Sequence, residues 1–532
     1  ADFLSIQAAI DAMEDGDPIV VCPGLYRENI RFSGKQVILR GHDPDDPATV
    51  AATIIDGGQA GPVVTFDGTE PDRAVLEGMT LRNGRALEGG GILGAGTRAT
   101  IRRCVIIENT ADARGGGLFA CNGTIANCII AENGGTECQA GGGLYGCSGL
   151  ITNCLVMSNE AVSGGGLAAC GGTIANCVVS ANRAATGGAM SGCDGQVWGC
   201  TVIGNRATGG VGGGFHGCNG TIANSVIWGN IAASQPQLSV SSVPSYSCIQ
   251  NWSGSGTGNI SFQPLFASRT YGVWDENGVA GEDAFETALV DSAANWHRDE
   301  LVGRLVRPDD ALTRQFLILG NTSHTIWVLG NASDVAFAGR TYEILDYHIQ
   351  DISPCRDAGD PAGAYTGQTD LDGHQRILMG RVDIGADEFV PRGDFDFDGD
   401  VDLEDFVVFQ RCFSGPNRRP TPTGCSRADF DADADVDLID FMAFEYCFNG
   451  PNRVARGVRT PEARPPADFD MDGDVDLADF ARFQICVNGP NRPAAHPGCG
   501  IADLDADGDV DATDFRVILI CFNGPNRPAG CK

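Results

Sequence analysis

"GGGLFACNGTIANCIIAEN", residues 115–133, decides the fold, because the chain goes on to rewrite it four times. It returns as "GGGLYGCSGLITNCLVMSN" from Gly141, "GGGLAACGGTIANCVVSAN" from Gly164, "GGAMSGCDGQVWGCTVIGN" from Gly187 and "GGGFHGCNGTIANSVIWGN" from Gly212, at intervals of 26, 23, 23 and 25 residues. Self-similarity at a near-fixed period signals stacked structural repeats. Each unit holds short β-branched runs broken by Gly and Asn, with no helical periodicity. A unit of that length, with about three short strands and Gly/Asn corners, reads as one coil of a parallel β-helix. Each coil pairs its backbone with the coils above and below, so none is stable alone. A leucine-rich repeat has a similar length, but its Leu spacing is absent.

Stacking in register assigns a task to each position. Leu118, Leu144, Leu167, Met190 and Phe215 are equivalent and should pile up inside the coil. Asn109, Asn133, Asn159, Asn182, Asn205 and Asn230 should form a ladder at a corner, tolerating left-handed backbone while their amides bond in a row. The cysteines form two sets: Cys121, Cys147, Cys170, Cys193 and Cys218, and Cys104, Cys128, Cys154, Cys177 and Cys200. Pairing within "CNGTIANC" strands Cys104 and Cys218. Pairing each second-set Cys with the first-set Cys of the next coil (Cys104 with Cys121, through Cys200 with Cys218) leaves none over. That arithmetic favours inter-coil staples, each worth around 3 kcal/mol. The alternative is that small Cys side chains simply fill a narrow core.

Composition narrows the setting. A chain of 532 residues with 74 Gly is too long for one compact domain. Its net charge of −33 argues against nucleic acid or an anionic membrane surface and suits divalent cations. No uncharged apolar run approaches the roughly 18 residues of a spanning helix. Twenty-one cysteines point to an oxidising, extracellular or cell-surface location, and the odd count leaves at least one thiol over. The chain begins at Ala1 without Met, as a product of signal cleavage or a trimmed chain would.

The opening "SIQAAIDAMEDGDPIVVCPGLYRENIRFSGKQVILRG" (residues 5–41) resembles the N-terminal cap and first coils of pectin-lyase-like β-helix proteins. The resemblance implies a right-handed coil, with the amphipathic Ile6–Met13 segment covering the open end of the core. The expected fold is mainly β: a right-handed parallel β-helix over 1–268, a small inserted β domain over 269–346 and a terminal β-helix segment over 347–390. No cysteine lies between Cys248 and Cys355, and "RQFLILGNTSHTIWVLGNAS" from Arg314 alternates like antiparallel strands. Trp274, Trp296 and Trp327 would be the core of that insert or a sugar-stacking surface.

Beyond Pro391 the character changes. "GDFDFDGDVDLEDF" (393–406) packs seven carboxylates into fourteen positions, and close copies start at Ala428, Ala467 and Ala502. All match the calcium loop D-x-D-x-D-G-x-V-D-x-x-D, in which alternate carboxylates converge because the loop curls round one ion. The first loop offers Asp394, Asp396, Asp398 and Asp405, with the carbonyl of Asp400 and, through water, Asp402. The second offers Asp429, Asp431, Asp433, Asp435, Asp437 and Asp440, with Ala434 where Gly is expected, so it should bind more weakly. The third offers Asp468, Asp470, Asp472, Asp474, Asp476 and Asp479, and the fourth Asp503, Asp505, Asp507, Asp509, Asp511 and Asp514. From Pro391 onward there are 27 acidic and 14 basic residues, a net of −13 that four Ca2+ would bring to −5. Folding of this region should therefore depend on metal.

Each loop leads into a short apolar-striped helix (Phe406, Phe409 and Phe413 in the first) that stops at "GPN". A calcium loop followed by one helix, used in pairs, resembles the dockerin module, which gives two pairs, 391–452 and 466–532, joined by a basic linker, 453–465. The resemblance implies a protein partner, either a surface or cohesin-like protein or another copy of this chain. Positions ten and eleven of the loops read Leu403–Glu404, Leu438–Ile439, Leu477–Ala478 and Ala512–Thr513 instead of the usual Ser/Thr-type pair, which argues against a cellulosome role. Expected staples are Cys412–Cys425, Cys486–Cys499 and Cys521–Cys531, with Cys447 the odd thiol.

No catalytic residues are assigned. Glu132, Glu137, Glu160, Asp194, Arg183 and Arg206 occupy different repeat positions and do not stack into a paired-carboxylate site. His216, where other coils have Phe119 and Tyr145, reads as an exposed filler, and Asp370, Asp372 and Arg376 as closing the helix end. Asn122, Asn219 and Asn251 begin glycosylation triplets, a weak signal. The sequence favours an exported structural or adhesive protein whose calcium modules mediate self-assembly into a filament or layer, or attachment. The alternative is a polysaccharide-binding or polysaccharide-cleaving protein displayed through its tail.

Overall fold

The computed structural model describes residues 3–448 apart from 268, 282–285, 379, 417, 419–424 and 431–434, together with 467, 469, 475, 477–487, 502, 504, 510, 514, 515 and 518. The chain divides into two compact units, Ala1–Phe389 and Val390–Lys532.

In the first unit each coil visits three parallel sheets in turn, sheet I with nine strands, sheet II with ten and sheet III with nine. Register is strict because one interior is shared by all coils. Ile101, Ile125, Ile151, Ile174, Val197 and Ile222 stack in sheet I, and Ile106, Ile130, Val156, Val179, Val202 and Ile227 in sheet II. Leu118, Leu144, Leu167, Met190 and Phe215 stack in sheet III, as their spacing predicts. All are buried in one continuous core, each contributing roughly 1.5–3 kcal/mol of apolar transfer. Helix α1 (Ile6–Ala12) begins at Ser5, whose hydroxyl accepts from Ala8 N, and buries Ile6, Ala9 and Ile10 against the open end of that core; a second short helix, α2, spans Pro47–Ala52.

Two expectations are corrected. The ladder cysteines are buried thiols, not inter-coil staples. The two sets line opposite edges of sheet I: Cys121 precedes its strand Thr124–Ala126 and Cys128 follows it. A strand length therefore separates any cross-set pair, beyond the roughly 4.4–6.8 Å between Cα atoms that a disulfide allows. Each set stacks on itself instead, with Cys154 N donating to Cys177 Sγ at 3.4 Å and Cys193 N to Cys218 Sγ at 3.4 Å. The asparagine ladder forms, but its members are not left-handed. That conformation belongs to the preceding residue, Glu108, Glu132, Ser158 or Ala181, with φ of 54–56°. The Asn is thereby turned inward, and Asn159 Nδ2 reaches Asn182 Oδ1 at 3.0 Å.

The insert is an antiparallel seven-stranded sheet running from Thr270–Val273 to Thr341–Leu345. Trp274 and Trp296 are core, and Trp274 stacks on Tyr342 at 3.9 Å. Trp327 is half-buried and lines a cleft of about 860 Å³ with Leu25, Ala48, Ile54 and Ala288. The same face of the insert covers sheet II: Leu305, Leu329 and Leu345 pack on Val105, Ile107, Ala131 and Met157. Ser158 Oγ accepts from Gln315 N at 2.9 Å, and Arg314 Nε pairs with Glu132 at 2.7 Å. Sheet II is thus buried on both faces, which accounts for its unbroken apolar strands.

Residues 357–388 do not close the helix end. They run as a strap along the corner between sheets I and II, where Asn153, Asn176, Gly199 and Asn224 are left-handed at φ 49–60°. Asn153 Nδ2 donates to Thr369 Oγ1 at 2.9 Å, Asn176 Nδ2 to Thr369 O at 2.8 Å and Asn224 Nδ2 to Tyr365 OH at 2.7 Å. Arg376, fully buried, donates to Asp383 O at 2.9 Å.

The second unit contains helices α3 (Leu403–Cys412), α4 (Leu438–Cys447) and α5 (Leu477–Cys486). Phe409 stacks on Phe444 at 5.1 Å, joining α3 to α4, and Phe480 meets Phe515 at 5.4 Å. Phe413 is exposed. Cys412 and Cys425 form a disulfide. Cys486 is disulfide-bonded, while Cys499, Cys521, Cys531 and the linker 453–465 lie outside the described residues.

Candidate functional site

The first acidic loop is built by its own backbone. Asp402 caps α3 by accepting from Glu404 N at 2.8 Å, and Asp405 answers by accepting from Asp402 N at 2.8 Å, a reciprocal capping box. The other oxygen of Asp405 reaches back ten residues to Phe395 N at 2.6 Å and so closes the loop. Gly399, at φ +98°, makes the sharp turn, and its N–H donates to Asp394 at 3.0 Å. Asp396 and Asp398 accept from the N–H two residues on, at 3.3 and 3.1 Å.

This folding brings Asp394, Asp396 and Asp405 within 4.8 Å of one another, and likewise Asp400, Asp402 and Asp405. Burial and the neighbouring Asp405 push the Asp394 carboxyl up to about 7, and the same two causes raise Asp396 to about 6. Asp405 is raised by burial. Asp394 is fully buried, and its Oδ1 has no hydrogen-bond partner. Crowded acids whose carboxyls are raised, one of them buried with an oxygen lacking a hydrogen-bond partner, form a set that could hold a metal ion.

The other loops repeat the closure. Phe430 N donates to Asp440 at 2.6 Å, Phe469 N to Asp479 at 2.5 Å and Leu504 N to Asp514 at 2.6 Å. Asp435, Asp437 and Asp440 also lie within 4.8 Å of one another, and Asp429 is half-buried beside them in sequence. Asp431 and Asp433 lie outside the described residues, as do Asp468, Asp470, Asp472, Asp474, Asp476, Asp503, Asp505, Asp507, Asp509 and Asp511.

On the β-helix, the acids weighed as catalytic candidates are dispersed. Glu132 lies under the insert, Glu160 pairs with Arg183, and Asp194 accepts from Asn219 N at 2.8 Å. One surface that residue counting missed is the outer row of sheet III. Phe119 and Tyr145 stack at 5.6 Å with planes 4° apart, and the Arg114 guanidinium lies 5.1 Å from the Tyr145 ring centre. Both rings are half-buried, as is His216 further along the row. The available signal was the equivalence of these positions one residue after the stacked Leu.

No known family model matches the chain, and no curated protein matches its sequence. Among solved structures, a pectin methylesterase mutant in complex with a hexasaccharide is similar over 48% of this chain and 87% of its own, at 12% identity and a TM-score of 0.26. Likeness at that level concerns coiled β architecture and carries no weight for activity or substrate.

Proposed function

We propose that the chain is a polysaccharide-binding β-helix that holds its ligand without cleaving it, and that its tail is folded by Ca2+. The observation that carries this reading is the open row of sheet III. Phe119 and Tyr145 offer a parallel pair of stacked rings to a sugar, and Arg114 beside them suits an acidic one. Three of the acids alongside are matched to a guanidinium: Asp112 to Arg85 at 3.1 Å, Glu88 to Arg114 at 3.8 Å and Glu160 to Arg183. Glycosidic hydrolysis needs two carboxyls facing one bond, roughly 5–9.5 Å apart. Acids occupied in ion pairs support binding instead. Affinity electrophoresis in gels of polygalacturonate and of a neutral glucan tests this. Retardation by the uronate polymer, lost in Tyr145→Ala and Phe119→Ala, is expected. Unretarded wild-type protein would overturn the reading, and new reducing ends or unsaturated products would give the cleaving alternative precedence.

The tail carries a second reading. Leu403 and Val407 on α3, and Leu438, Ile439 and Met442 on α4, are exposed apolar side chains. Helix faces of this kind, held in place by Ca2+-closed loops, suit docking to a protein, either another copy or a surface protein. Light scattering in Ca2+ and then in excess chelator separates the cases. Assemblies that fall to monomers mean self-association. A monomer in both conditions leaves attachment to a different partner.

A further inference from the structure

The strap carries a second group of metal-ligating side chains, chemically unlike the acidic loops. His348, Asp372 and Asp387 each present one ligand atom within 4.8 Å of the others, and Asp372 is shared with a second such group, Asp370 and His374. The donors come from separate stretches of chain. His348 follows the last strand of the insert, Asp372 stands in the turn made by Gly373 at φ +93°, and Asp387 lies in "DIGADEF".

Three features point to a cation. His348 Nδ1 hydrogen-bonds Asp346, which Arg304 holds at 3.3 Å, while Nε2 faces Asp372 at 2.6 Å. A carboxylate on the far ring nitrogen orients the imidazole, the usual support of a metal-bound histidine, and a metal ion would take the place of the Nε2–Asp372 hydrogen bond. Asp387 is only 7% exposed, and one of its oxygens accepts from Ile349 N at 3.0 Å. A carboxylate buried to that extent costs free energy unless a cation compensates it. The side chains of His348 and Asp372 remain 47% and 38% exposed, so an ion has a way in.

We propose that His348 Nε2, Asp372 and Asp387 bind a divalent transition-metal ion, with the Asp370–His374 turn completing the shell. Imidazole with carboxylates suits Zn2+ or Mn2+, whereas Ca2+ prefers an all-oxygen set. The ion clips the end of the insert to the turn and last segment of the strap. The competing arrangement is an imidazolium ringed by carboxylates, which would take no metal.

The full-length protein, stripped with chelator and then kept in excess Ca2+ to occupy the acidic loops, is titrated with Co2+ by calorimetry and visible absorption. The expected result is one equivalent bound with a d–d spectrum, lost in Asp372→Asn and in His348→Ala and unchanged in Asp405→Asn. Asp346→Asn, which removes only the positioning carboxylate, should weaken binding by roughly 10–100-fold. Circular dichroism confirms that each variant is folded. Failure of the wild-type protein to take up Co2+, or uptake that survives Asp372→Asn and disappears in Asp405→Asn, overturns the proposal.

Discussion

Replacing Asn159 by Ala tests the amide ladder at its middle rung. The Asn159 side chain is fully buried. Its oxygen accepts from Asn133 N at 2.9 Å and from Asn133 Nδ2 at 3.1 Å, and its nitrogen donates to Ile130 O at 2.8 Å and Asn182 Oδ1 at 3.0 Å. Truncation removes all four bonds and leaves the Asn133 N–H facing a cavity. A stranded buried group costs about 1–3 kcal/mol and each remaining bond about 1 kcal/mol, not fully additively, so the expected loss is about 3–5 kcal/mol. Asn159→Asp should be worse at neutral pH. It keeps the acceptor toward Asn133 but turns the donor into a second acceptor, charged and buried, against Ile130 O and Asn182 Oδ1. Asn122→Ala is the control: its oxygen accepts from Ser148 N in an exposed setting, and the loss should stay below about 1 kcal/mol. Urea denaturation gives the totals, and hydrogen exchange of the peptide spanning 128–135 reads the rung directly. An Asn159→Ala loss below about 0.5 kcal/mol, or an Asp variant no worse than Ala at pH 7, would refute the reasoning.

Cys22, exposed, should alkylate in the native protein, while the ladder thiols react only after unfolding, because they are buried, and burial also pushes the thiols of Cys104, Cys128, Cys154 and Cys177 up; a mass spectrum with Cys104–Cys121 linkage would contradict the thiol ladders. Burial pushes the Glu132 carboxyl up to about 7 despite Arg314, with Glu108 and Asp334 nearby, so the folded state keeps a proton that the unfolded chain releases near pH 4.5. That contribution to stability is complete below pH 4.5 and is lost as the pH rises to 7, by up to roughly 3 kcal/mol, and Glu132→Gln should flatten this part of the pH profile. Chelator should melt helices α3 to α5 and leave the parallel sheets intact, giving a loss of helical circular dichroism without a change in the main thermal transition; Asp405→Asn should lower the Ca2+ affinity of the first loop alone.

What could be read in the sequence was whatever is local or periodic. The coil interior was legible because a 23–26 residue period sets like on like, and the acidic loops because their ligands lie within twelve residues. The cysteine pairing failed because counting leaves none over yet ignores the width of sheet I between the two sets. The asparagine prediction missed by one residue, since the corner needs its left-handed φ just before the side chain that turns inward. The covered face of sheet II was written in "CVII", "CIIA" and "CLVM", where both alternate positions are apolar, but no window of sequence says what lies on top. His348, Asp372 and Asp387 were out of reach, because only the path of the strap brings them together.

That path also bears on where a ligand can sit. Val105, Ile107, Ala131 and Met157 are sealed beneath the insert, so sheet II is closed to a long polymer, and removing the insert would expose an aggregation-prone apolar surface, not a binding groove. The corner beside it is occupied by the strap, with Tyr365 against Trp198, the large aromatic on the outer row of sheet I. On the middle coils the outward positions of sheet I are mostly small, Thr124, Ala126, Thr152, Thr173 and Ala175, with exposed Leu150 the exception. Sheet III carries no comparable cover among the described residues, and it is where the stacked rings and the guanidinium stand. A polymer lying along the helix axis would cross one coil every 4.8 Å or so. It would meet Leu93, Phe119 and Tyr145 on successive coils and then the small Ala168 and Ser191, so the grip should be localised to the first half of the row, which is where the substitutions at Phe119 and Tyr145 act.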